Sequence, residues 1–99
     1  MAPTEDEIAA AVAYLIQLRP TTKRPMYSSY SLKHRAESWG RYNGREPYVS
    51  NGALIAAAVR LQLPIFPHGI NAEIGVSRSD VDALTKKREA QRGTAINNG

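Results

Sequence analysis

The sequence predicts a mainly α fold: a compact four-helix domain, with residues 65–76 between the third and fourth helices suited to a short β-hairpin. Three observations lead there. Four segments open on a Thr or Ser able to cap free amides, apolar residues recur three or four apart within them, and the first three are closed by proline or glycine. Between the third and fourth, Pro64, Pro67, Gly69 and Gly75 break the helical period and leave two short apolar runs. A length of 99 residues suits one domain, placed at 1–92, with 93–99 as a frayed tail.

The first helix is expected at about 4–18. Thr4 caps, Glu7 stands three residues on as a capping box requires, and Glu5, Asp6 and Glu7 meet the positive end of the helix dipole. Ile8, Val12, Leu15 and either Leu18 or Ile16 mark its inner face, and Pro20 stops it. Residues 19–27 read as a linker because two prolines exclude a helix. The serines at 28, 29 and 31 then supply a cap for the second helix. Leu32, Ala36 and Trp39 share one face of it, Lys33 pairs with Glu37 outside, and Gly40 ends it. Trp39 and Tyr30 are both expected to face the core.

Residues 41–49 read as a polar loop with an Asn43-Gly44 turn. Ser50 caps a third helix whose body, Gly52 to Leu63, is apolar on nearly every side except at Arg60, the pattern of a buried central helix. Pro64 closes it. Strands are expected at 65–66 and 72–76 around a loop, with Ile74 and Val76 pointing inward. Ser77 or Ser79 caps the last helix, whose clear anchors are Val81 and Leu84.

Composition narrows the function. The chain has no cysteine, so disulfides and thiolate metal sites are excluded. Its start lacks the basic flank and apolar run of a secretory signal, and its longest apolar runs, Ile8–Ile16 and Ala53–Val59, fall far below the ~20 residues of a membrane span. A reducing cytoplasm and no membrane partner are the expectation. His34 and His68 stand apart without a ligand set around them, the serines have capping roles, and no glycine-rich phosphate loop occurs. The expectation is therefore a binding protein with no catalytic residues, no metal and no cofactor.

The net charge of +4 is unevenly spread: residues 1–18 carry −3, residues 19–45 carry +6, residues 46–77 carry −1 and residues 78–99 carry +2. The basic block sets seven cations against Glu37 and interleaves Tyr27, Tyr30, Trp39 and Tyr42, with Tyr48 just beyond it. Cations hold phosphates without reading sequence, and exposed rings can stack on bases. The candidate contact residues are Lys23, Arg24, Lys33, Arg35, Arg41, Tyr42 and Arg45. The element order is distantly winged-helix-like. Two features depart from that pattern: the long connection between the second and third helices, and a third helix with one long polar side chain, Arg60, where base-edge readers would stand. Contact with DNA or RNA would then fall on the backbone rather than on bases.

The run Ser28-Ser29-Tyr30-Ser31-Leu32-Lys33-His34, followed by Tyr48-Val49-Ser50-Asn51-Gly52-Ala53-Leu54-Ile55-Ala56-Ala57-Ala58 and by Asn71 to Ser77, resembles a group of short uncharacterised proteins of bacterial phage, prophage and plasmid genomes. The resemblance spans about residues 27–77 and carries no activity over to any residue. It implies a setting: an accessory protein of a mobile element in a bacterial cytoplasm. Two functions fit, a nucleic-acid-binding protein using residues 19–45, or a protein-binding inhibitor or adaptor acting on an acidic host protein of a defence complex, as anti-CRISPR proteins do. The oligomeric state stays open.

Overall fold

Thr4 opens the first helix as its sequence predicts. In the computed structural model, which describes residues 2–23, 26–44 and 48–87, the Glu7 amide donates to Thr4 Oγ1 at 3.2 Å and the Thr4 amide donates to Glu7 Oε2 at 2.9 Å. This capping box starts α1 (Glu5–Leu15). The helix stops at Leu15, and one further turn carries Leu18 into the core while Ile16 stays 64% exposed. Leu18 is thus the inner residue of that pair. Tyr14, absent from the expected face, is buried, its ring 6.0 Å from that of Trp39.

Strand β1 (Tyr27–Ser28) takes up the last residue of the expected linker and the first serine of the expected cap. Ser28 then caps α2 (Ser29–Tyr42), accepting from the Ser31 amide at 3.1 Å. The helix runs two residues past Gly40. That glycine belongs to the buried stripe Leu32–Ala36–Gly40, so it is a packing residue and not a terminator. Arg41 and Tyr42 therefore occupy the last helical turn instead of a loop. The turn itself follows, with Gly44 at φ 66°.

Ser50 caps α3 (Asn51–Arg60), whose buried residues are Ala53, Leu54, Ala57 and Ala58. Burial is one-sided. Val59 is 60% exposed and Ile55 only half-buried, which corrects the expectation of a helix enclosed all round. Small alanines on the inner face let α1 and α2 pack close, and the outer face was never required to be polar. The helix ends before Pro64 in a Schellman arrangement: Leu63 N–H donates to Ala58 O and Gln62 N–H to Val59 O, both at 3.0 Å, with Gln62 left-handed at φ 56°.

A hairpin follows, β2 (Ile65–His68) and β3 (Asn71–Ile74), in an antiparallel sheet ordered β1-β3-β2. Its turn is Gly69-Ile70, with Gly69 at φ 64° in the glycine position of a type II′ turn. Ala72 and Ile74 point into the core. With His68 and Asn71 as the hydrogen-bonded closing pair, the Pro67–Ala72 pair is not bonded across, so Pro67 presents its missing N–H to the open edge of β2. Ala72 N–H correspondingly points the other way and donates to the buried Ser29 hydroxyl at 3.0 Å.

Residues 19–21 form a strap along 75–77. Thr21 N–H donates to Gly75 O at 3.0 Å, Ser77 N–H to Arg19 O at 2.8 Å, and Pro20 pairs with Val76. A Cβ on Gly75 would overlap the Thr21 carbonyl oxygen and crowd Pro64, so this glycine permits the close approach. A fourth helix, α4, begins at 78 and is described to 87, with Ser77 as its cap and Val81 fully buried. Among the described residues there are thus four helices and a small three-stranded antiparallel sheet, and no helix is long and apolar enough to cross a membrane. The expected tail 93–99 lies outside the described residues.

Candidate functional site

The basic block does not fold into one patch. Its first cation, Arg19, wraps the Asp80 carboxylate: Asp80 Oδ2 accepts from the Arg19 backbone N–H at 2.8 Å and from Nε at 3.0 Å, and Oδ1 accepts from Nη2 at 2.9 Å. Hydrogen bonding to this guanidinium holds Asp80 below the usual carboxylate range and raises Arg19 in return. Lys23 is exposed in the chain leading to the sheet. Arg24 and Arg45 lie outside the described residues.

On α2, successive side chains are turned by about 100°, which places Lys33 and Arg35 on opposite borders of the buried stripe. Lys33 donates to Glu37 Oε1 at 3.2 Å, with both side chains 16% exposed, and its ammonium stands 5.6 Å from the Tyr30 ring centre. Arg35 is half-buried. Its Nη1 donates to Thr85 Oγ1 of α4 at 3.1 Å, and its guanidinium lies 5.2 Å from the Tyr27 ring centre. Arg78 approaches that same ring at 5.3 Å. Arg41 and Tyr42 are exposed on the last turn.

Glu37, the one acid in the block, is spent inside the protein. Oε1 faces Lys33 and His34 Nδ1, the latter at 3.6 Å, while Oε2 accepts from the Val49 amide at 3.1 Å. Between the borders, the solvent side of α2 carries Tyr30, Ser31, His34, Ser38 and Arg41. Tyr30 is 53% exposed, a correction to its expected core position, because residue 30 falls outside the Ser29–Leu32–Ala36 stripe. Its ring meets that of His34 edge to face at 4.6 Å. Tyr30, Ser31, His34, Arg35 and Ser38 line an open groove of about 380 Å³. Below it Arg35 also lines a crevice of about 50 Å³ with Tyr14, Trp39, Leu84 and Thr85.

Ser38 and Arg78 were not singled out from sequence, where Ser31 reads as part of a helix cap and His34 as a histidine without a ligand set. Two serines seven apart bracketing a His-Arg pair are the available signal, hidden there by the capping role of their neighbour Ser28. Arg60, the polar residue of α3, is committed elsewhere, donating to Glu5 from Nη1 at 3.0 Å and Nη2 at 2.8 Å. Hydrogen bonding to it lowers the Glu5 carboxyl and raises Arg60. Among the described residues no group of three or more His, Asp or Glu is arranged to hold a metal ion. No protein-family model, curated protein or solved structure matches the chain.

Proposed function

We propose that the protein is a non-enzymatic nucleic-acid-binding accessory protein, of the mobile-element setting its sequence resemblance implies, that holds the phosphate backbone against the solvent side of α2. The carrying observation is the fate of Glu37. With this carboxylate engaged by Lys33, His34 and the Val49 amide, the outward side of α2 carries Arg41, hydroxyls and an imidazole, and no second acid. Arg60 being tied to Glu5 leaves α3 without a side chain for base edges, which favours backbone contact over sequence reading. In this reading the 65–74 hairpin serves as a wing-like support, fixed to α3 because Asn51 Nδ2 donates to Ile70 O at 3.1 Å.

The test is a fluorescence titration of labelled single-stranded and duplex DNA at ~50 and ~200 mM salt. Affinity is expected to fall steeply with salt, and Arg41→Glu is expected to weaken binding about tenfold and make the salt slope shallower by about 1. Circular dichroism should show the fold unchanged, since Arg41 is exposed. Absence of binding to either DNA, and to RNA, at low salt would overturn the proposal. One observation favours the protein-binding alternative: Ile70 is 90% exposed at the anchored hairpin tip. An Ile70→Ser variant that abolishes capture of a folded host protein, with nucleic acid ignored, would establish it.

A further inference from the structure

We infer that the groove lined by Tyr30, Ser31, His34, Arg35 and Ser38 is a subsite for one phosphodiester group of a nucleic-acid strand, with Arg35 as its principal ligand. The inference rests on the reading above and names where a phosphate sits. The residues that line the groove carry the Ser31, Ser38 and Tyr30 hydroxyls, the His34 imidazole and the Arg35 guanidinium and no carboxylate, although apolar atoms make up most of the lining surface. That set suits an anion with several acceptor oxygens.

Arg35 is also pre-positioned. A surface arginine normally gives up much rotamer freedom on binding. Here one N–H is already held by Thr85 Oγ1 at 3.1 Å and the guanidinium carbon lies 5.2 Å from the Tyr27 ring centre, so anion binding would cost Arg35 little further ordering. Thr85 is neutral. The contact fixes Arg35 without cancelling its charge, unlike the carboxylates that hold Arg19 and Arg60. Arg78 brings a second guanidinium to the same ring.

Ser31 and Ser38, seven residues and two turns apart, lie on the same side of α2. Their small side chains leave room between His34 and Arg35, and the T-shaped Tyr30–His34 pair walls the groove on the side away from Arg35.

The experiment is fluorescence anisotropy with a labelled single-stranded oligonucleotide over a salt series, with wild type, Ser31→Ala/Ser38→Ala and Arg35→Lys. Arg35→Lys keeps the charge and loses the planar fork, so affinity should fall about tenfold with the salt slope unchanged. The double serine variant should weaken binding about threefold or more. If Arg35→Lys proves unfolded by circular dichroism, the serine variant decides, since Ser31 and Ser38 are not in the core. Wild-type binding with both the serine and lysine variants within twofold of it would overturn the subsite and leave nucleic-acid binding standing. Failure of the wild type to bind removes both.

Discussion

Arg19 and Arg35 come from the same run of positive charge and end in opposite states. Arg19 belongs to the strap, where its amide and guanidinium go to Asp80, its carbonyl accepts from Ser77, and the Thr21 amide donates to Gly75 O. Arg35 stands on α2, held by a neutral hydroxyl and a ring, beside an open groove. One cation is paired with an acid, and the other is held by neutral groups that leave its charge uncompensated. A basic run in a sequence therefore does not identify a binding surface; the acid that each base meets in the fold decides, and for Arg19 that acid is 61 positions away.

The comparison can be broken most forcefully at the strap. Gly75→Ala places a methyl group where backbone already stands, and should lower the stability measured by urea unfolding by about 2–4 kcal/mol. A loss within ~0.5 kcal/mol would show that the strap yields easily and that the contrast with α2 is overdrawn. The two sides of α2 sharpen it next. Ser29→Ala removes the acceptor of the buried Ala72 N–H and should cost about 1–3 kcal/mol, whereas Ser38→Ala, on the groove side, should change stability by no more than ~0.5 kcal/mol. Equal effects of the two alanines would undo the division of α2 into a core-bound side and an open side.

The smallest effect is at Asp80. Its carboxyl is lowered by Arg19, so its contribution is present above the unfolded pKa near 4 and disappears as pH falls through the folded value. Asp80→Asn should therefore be less stable than wild type at pH 7, with the gap closing towards pH 2. Glu5 and Glu7, also lowered, give the wild type a further loss of the same sign over that range. A gap independent of pH would mean that Arg19 and Asp80 are held by packing and not by charge.

What could be read from sequence was what is local. Thr4 with Glu7, Ser50, Asn43-Gly44 and the Lys33–Glu37 pair all act within four residues of themselves, and each stands as expected. Strand β1 and the strap escaped because segments of two or three residues have no period, and their register comes from β3 and residues 75–77. Gly40 and Tyr30 were misplaced for a related reason: a helix fixes which residues share a side, but the neighbouring elements select the side that is covered. The candidate site was half legible. Arg35, Arg41 and Tyr42 could be named from composition, while the groove needed the turn of α2, and the neutrality of Arg35's tether needed Thr85, fifty residues on.

Pro67 carries a consequence for the protein in company. The outer rim of β2 is where an incoming chain would find unpaired backbone donors, and a ring occupies one of those positions. Crowded copies of the protein meet that blocked position whenever two sheets approach rim against rim, which disfavours joining their three-stranded sheets edge to edge.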